Sequence, residues 1–154
     1  MRKTFLRLGS LMALTAVALG AFGSHGLRGV ISSAELEIFE IGVRYQFYHA
    51  LATLVVGILL YFRKTPMLPR AGWLFIGGVA LFSGSLYALS VSDIFHIPKS
   101  FLGPITPIGG IMLMLGWSAL IWSTFEESER AYRSRQKDAE KELQKEQRPE
   151  HQQR

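Results

Sequence analysis

The sequence lacks cysteine altogether, and over most of its length it also lacks charge. Without cysteine the chain has no disulfide, no thiolate nucleophile and no cysteine metal ligand. Its 154 residues suit a single domain, and its hydrophobic content of 49% would be ordinary for a soluble protein. That average conceals a division, because the charged residues are confined to short segments and to the part of the chain after Phe125.

Four nearly charge-free runs are long enough to cross a membrane. A hydrocarbon core about 30 Å thick needs about 20 apolar residues of helix. Lipid offers no partners for free backbone N–H and C=O groups, so such runs must be helical. The sequence therefore predicts an all-α membrane protein whose residues 1–125 form a four-transmembrane-helix antiparallel bundle, with spans at about 6–24, 45–62, 71–92 and 101–125.

Two further segments flank these spans. Ser32 and Glu35 have the spacing of a capping box, which predicts a short interfacial helix over about 33–44 leading into the second span. A helix that binds a partner is the alternative reading of this segment. Residues 126–154 form a charged tail without an apolar stripe, which we expect to be partly helical near the membrane and disordered after Pro149.

The first apolar run has a second reading as a cleavable signal peptide, since Arg2, Lys3 and Arg7 precede it and small residues end it. We favour a retained span. The small residues Ala16, Gly20 and Ser24 recur at i, i+4 and i+8, a spacing that lets a membrane helix approach its neighbour closely. Ala80, Gly84 and Ala88 give the third span a similar face.

The distribution of basic residues predicts the orientation. Cytoplasmic loops carry an excess of lysine and arginine. With both termini in the cytoplasm, the outer segments hold Arg28, Arg44 and Lys99, while the inner segments hold Arg2, Lys3, Arg7, Arg63, Lys64, Arg70, Arg130, Arg133, Arg135 and Lys137. This bias predicts a multi-pass protein with both termini cytoplasmic, and it accounts for the net charge of +5 without nucleic acid.

Polar side chains inside the spans are costly and therefore informative. The predicted topology places most of them at similar depth near the outer leaflet, with less in the inner half, where Thr15 and Thr53 lie. The candidate cluster consists of His25, Tyr45, Gln46, His49, Ser83, Ser85, Tyr87 and Thr106. Interhelical hydrogen bonding explains such a cluster most simply, since Ser, Thr, Gln and His commonly join membrane helices.

Two functional readings of the cluster remain open. A small-solute carrier or channel component would have a cavity open to the outer side and lined by His25, Gln46, His49 and Thr106. A metal- or cofactor-binding protein could use His25 and His49, but two histidines make a weak metal signal because a stable site needs three or four ligands. The spans contain no nucleophile–base pair, phosphate loop or paired carboxylates, so we expect no enzymatic activity and no cofactor.

Four segments resemble a known family, with one conserved-looking block for each span. They are residues 20–27 (GAFGSHGL), 45–50 (YQFYHA), 82–87 (FSGSLY) and 106–110 (TPIGG) with Gly116-Trp117. In order and spacing they resemble the YgdD-like family, also catalogued as domain of unknown function four-two-three, which includes the eukaryotic transmembrane protein two-five-six. Ser24 departs from the alanine usual there. The resemblance covers residues 4–125, argues against signal cleavage and implies a small bacterial inner-membrane protein without assigned catalytic residues.

These observations predict a structural or accessory role in the bacterial plasma membrane for a protein of unknown biochemical function. The expected partners are the lipid bilayer and either a second copy of the chain or another membrane protein, since four helices of this size bury little interior. Sequence alone does not separate packing within the chain from packing between chains.

Overall fold

A computed structural model describes residues 1–96 and 98–146 of the chain. The long helices are α1 (Arg2–Phe22), which a π-helical turn at Gly23–Leu27 extends, then α2 (Ser33–Phe62) and α3 (Met67–Ser90). A short helix α4 (Lys99–Leu102) precedes α5 (Ile105–Glu146). Four segments are long and apolar enough to span a membrane, with mean hydropathy between 1.4 and 1.7. The predicted all-α membrane fold with four spans is confirmed.

The helices pack in chain order and run antiparallel. α1 packs on α2, α2 on α3, and α3 on α5. We call the end of the bundle that holds the α1–α2 and α3–α4 connections the loop end. The other, the tail end, holds the start of α1 and the α2–α3 connection. α2 and α3 are therefore the central helices, and polar side chains on them can reach neighbours on two sides.

The predicted interfacial helix over 33–44 is not a separate element. The capping box is present, since the Glu35 N–H donates to Ser32 Oγ at 3.3 Å and the Ser32 N–H donates to the Glu35 carboxylate at 2.9 Å. From this cap, however, α2 continues without a break through Phe62, about 45 Å of helix. The bundle holds its first turns, because Phe39 is buried with its ring centroid 4.9 Å from that of Tyr87.

The fourth span also differs from its predicted bounds of 101–125. Gly103 and Pro104 separate α4 from α5, so the long helix begins at Ile105. Pro107 falls in its first turn, where the missing N–H is not needed. At the other end α5 continues through the charged tail to Glu146. The predicted disorder after Pro149 lies outside the described residues.

The core lies toward the tail end, where side chains from all four long helices meet. Phe5, Val56, Leu68, Phe75 and Leu113 are among its buried members. Phe5 of α1 reaches α3, where it packs edge-on against Trp73 at 5.5 Å between centroids and lies over Gly72. This insertion joins α1 to α3 although α2 is the neighbour on which α1 mainly packs.

Only part of the predicted small-residue packing occurs. On α1, Ala16 is buried, and a Cβ at Gly20 would touch Val43 of α2. On α3 the predicted small-residue face does not pack against another helix of the chain at Ala80 and Gly84, which are exposed. The close approach between α3 and α5 is made instead at Gly109, where a Cβ would lie 2.8 Å from the Phe82 Cα.

A matched pair of alanine substitutions tests this packing. Gly109→Ala should lower the free energy of unfolding by about 1–3 kcal/mol, because the added methyl group meets backbone that cannot move without separating α3 from α5. Gly84→Ala is the control, since nothing lies within 4 Å of a Cβ there. Unfolding in mixed micelles by denaturing detergent measures both. Equal effects of the two substitutions would contradict the assigned contact.

Candidate functional site

Gln46 joins three helices near the middle of the bundle. Its buried amide Nε2 donates to the Met12 carbonyl at 2.9 Å and to Thr15 Oγ1 at 2.8 Å, both on α1. Its Oε1 accepts from the Tyr87 hydroxyl of α3 at 2.9 Å. Thr15 in turn donates to the Leu11 carbonyl at 2.9 Å. Both N–H groups and the carbonyl of the amide thus have partners within the protein, which is what a low-dielectric environment demands.

His49, one turn further along α2, makes a second bridge toward α5. Its Nδ1 lies 2.8 Å from the Tyr45 carbonyl, which can only accept, so we assign the ring proton to Nδ1. The other nitrogen, Nε2, then accepts from Trp117 Nε1 at 3.2 Å. Phe75 lies beside both rings, with centroids 5.6 Å from His49 and 5.1 Å from Trp117. The imidazole is held neutral, with both nitrogens bonded.

A third polar contact joins α3 to α5 nearer the loop end. Ser85 Oγ lies 2.7 Å from Thr106 Oγ1 and 2.9 Å from the Phe82 carbonyl. Since the Ser85 hydroxyl donates to the carbonyl, Thr106 is the donor in the contact between the two hydroxyl groups. Ser83 is 1% exposed, and its hydroxyl has no hydrogen-bond partner among the described residues.

The eight predicted residues therefore separate into distinct groups. Gln46 bonds Tyr87, Ser85 bonds Thr106, and Tyr45 stacks on His49 with centroids 6.1 Å apart. His25 is exposed in the π-helical turn, away from these groups. Gln46 and His49 lie near the middle of α2, which begins at Ser33.

Sequence reasoning missed two members of these networks. Thr15 was placed in the inner half as an unrelated residue, yet it lies level with Gln46 because α1 and α2 run antiparallel. Trp117 was quoted only for its resemblance to the family, although its indole N–H completes the His49 bridge. The sequence alone does not pair them with α2, because each contact depends on which positions of neighbouring helices lie at the same height.

An apolar groove of about 550 Å³ opens between α2, α3 and α5. Its lining consists of Tyr45, His49, Phe82, Pro107, Gly110, Ile111, Leu113, Met114 and Trp117. Of the four residues predicted to line a carrier cavity, only His49 contributes to it. The groove is therefore not the polar cavity that the carrier hypothesis requires.

Charged side chains near the loop end connect the α3–α4 loop to the start of α2. Lys99 Nζ lies 2.9 Å from the Asp93 carboxylate and 4.0 Å from that of Glu35. The hydrogen bond between Lys99 and Asp93 lowers the pKa of the Asp93 carboxyl group and raises the pKa of the Lys99 ammonium group. In the described ranges, 1–96 and 98–146, no three His, Asp or Glu side chains gather closely enough to hold a metal ion.

Comparison with known proteins places this arrangement in a family. A family profile described as "Protein of unknown function (DUF423)" matches residues 19–110. The chain belongs to the DUF423 family. It is 44% identical over 124 residues to the UPF0382 membrane protein SAB0533 of Staphylococcus aureus, covering 80% of this chain and 97% of that protein. It is also 45% identical over 120 residues to the UPF0382 membrane protein YwdK of Bacillus subtilis, covering 77% and 94% of the two chains. No solved structure matches.

These DUF423 relatives confirm the predicted family and its description as membrane proteins of unknown function. The matched range contains all eight predicted candidate residues. Thr15 and Trp117, which complete the two bridges from α2, lie outside it. The networks of this DUF423 protein thus extend beyond the segment that defines the match.

A double-mutant cycle measures the Gln46 network. Gln46→Leu should destabilise the protein by about 1–2 kcal/mol, a typical range for interhelical hydrogen bonds in membranes. Tyr87→Phe removes one of the same bonds, so the double variant should cost less than the sum of the two single variants. Ser118→Ala is the control, since Ser118 bonds only its own helix. Strict additivity in the cycle would contradict the Gln46–Tyr87 bond.

Proposed function

We propose that this DUF423 protein is non-enzymatic and has a structural or accessory role in the membrane. The observation that carries the proposal is the bonding of Gln46, whose two amide N–H groups and carbonyl oxygen all have hydrogen-bond partners on α1 or α3. A polar group that binds solute needs at least one free donor or acceptor facing a cavity. Both N–H donors of Gln46 are used within the bundle, its carbonyl oxygen accepts from Tyr87, and the side chain does not line the groove.

The bonding of His49 supports the same role. General acid–base chemistry or metal binding needs a ring nitrogen that can reach a substrate or an ion. Both nitrogens of His49 contact protein atoms, at 2.8 and 3.2 Å. The ring would have to give up the Trp117 bond, which links α2 to α5, before it could act. A role in linking α2 to α5 requires neither hydrogen bond of His49 to break.

We place the protein in the bacterial plasma membrane with both termini in the cytoplasm. The relatives in Staphylococcus aureus and Bacillus subtilis are membrane proteins of bacteria. The charge distribution supports this orientation, because the loop end holds the basic residues Arg28, Arg44 and Lys99, against six at the tail end, which are Arg2, Lys3, Arg7, Arg63, Lys64 and Arg70.

The orientation can be tested directly because the chain has no cysteine. A membrane-impermeant maleimide applied to intact bacterial spheroplasts should label Val30→Cys, which lies at the loop end and is 64% exposed. Pro66→Cys and Ser134→Cys should react only after the membrane is permeabilised. Labelling of either of these two in intact spheroplasts would reverse or refute the arrangement.

Reconstitution tests the structural role against the carrier alternative. Purified protein in liposomes should add no solute flux above that of empty vesicles when shrinkage and recovery are followed by light scattering with glycerol, urea and small amino acids. His49→Ala is the informative variant, because it opens the groove wall without altering the Gln46 network. Saturable flux through the wild-type protein that His49→Ala changes while the fold is retained would overturn the proposal.

A further inference from the structure

The outward face of α5 carries a line of residues, uncharged except for Glu129, that continues from the membrane into the charged tail. In the tail it consists of Phe125, Glu129, Tyr132, Gln136, Ala139 and Leu143, which we call the α5 seam. The spacings alternate between four and three residues, the pattern of a and d positions in a coiled coil. The line continues into the spanning part through Trp122 and Leu115, which are also exposed.

The seam faces away from the rest of the chain. Leu113, Gly116 and Ser123 are buried on the opposite side of α5, toward α3. Phe125, Tyr132 and Leu143 are between 57% and 64% exposed. Lipid can cover the seam as far as the membrane extends, but beyond it Tyr132 and Leu143 would stand in water. A helix that projects into water without packing is marginally stable. A partner that packs along the seam would stabilise the tail helix.

Charged residues of the tail are concentrated at positions outside the seam. Residues 130–144 contain eight charged side chains. None of the eight occupies a seam position, although the seam takes four places in this stretch, at Tyr132, Gln136, Ala139 and Leu143. The one charge elsewhere on the tail seam is Glu129, and Arg133 lies 3.6 Å from it on the same helix. An unpaired solvated helix has no reason to keep its charges off one narrow face.

Membrane topology limits how a second copy could approach. Copies of one chain insert with the same orientation, so a two-fold axis between them runs along the membrane normal and pairs α5 with α5 in parallel. In a parallel coiled coil, residues flanking the seam meet across the interface with an offset of five positions. Arg135 of one copy would then face Glu140 of the other. The two-fold axis repeats this pair, so the dimer would contain two such ion pairs.

We propose that α5 is a parallel dimerisation helix, and that a second copy of this chain covers the α5 seam from the membrane to Leu143. The uncharged seam residues supply the contact, and the Arg135–Glu140 pairs fix the orientation and register. The inference goes beyond the proposed structural role and does not depend on it, because a carrier or an enzyme could dimerise through the same helix.

Disulfide trapping tests the dimer in native membranes. Ala139→Cys, on the seam, should form a cross-linked species of twice the chain mass under mild oxidation with copper phenanthroline. Lys141→Cys is the matched control, because it lies two residues away at the same depth but points outward. Both cysteines should react with maleimide. Equal cross-linking of the two variants, failure of Ala139→Cys to cross-link, or its trapping with a protein of another mass would overturn the proposal.

Charge reversal tests the register. In the Ala139→Cys background, Arg135→Glu should shift the dimer equilibrium toward monomer by about tenfold, the scale of two exposed ion pairs replaced by repulsion. Adding Glu140→Arg should restore cross-linking, since the pair is re-formed with its signs exchanged. Lys141→Glu serves as the control for charge alone, because Lys141 points away from the seam. If the double reversal does not recover the dimer, the parallel register is wrong.

Discussion

The hydrogen bonds of Gln46 constrain how α1, α2 and α3 pack against one another. An amide in hydrocarbon must satisfy two N–H donors and a carbonyl, and here each has a partner on another helix. A rotation of α2 by one residue, or a shift along its axis by one turn, would break the contacts to α1 and α3 together. Apolar packing tolerates such slips more readily, so this single side chain specifies the register of three helices.

His49 extends the same constraint to the remaining helix by different chemistry. Its bridge to Trp117 crosses the place where α2 and α5 are separated by the groove. The Phe75 ring packs beside both partners, with its centroid 5.6 Å from His49 and 5.1 Å from Trp117. Gln46 and His49 lie three positions apart on α2, so their side chains point in different directions. Gln46 therefore reaches α1, whereas His49 reaches α5.

Features that depend on local composition could be predicted from the sequence, whereas those that depend on helix register could not. Charge-free runs gave the spans, and Ser32 with Glu35 gave the start of α2. The continuity of α2 was missed because Glu35, Glu37, Glu40 and Arg44 suggest a surface helix, and only the burial of Phe39 shows that one face joins the bundle. Candidate residues such as Gln46 were identifiable by polarity, but their partners Thr15 and Trp117 follow from which helix heights coincide.

The unbroken course of α5 has a mechanical consequence. Beyond Gly116 the described helix contains neither glycine nor proline, so about 44 Å of α5 separates Trp117 from Glu146 without a joint. A rod of this kind transmits twist and tilt rather than absorbing them. A torque applied to the tail in the aqueous phase would therefore rotate the Trp117 indole, which contacts His49. The interior of the bundle is thus mechanically coupled to forces that act on the tail outside the membrane.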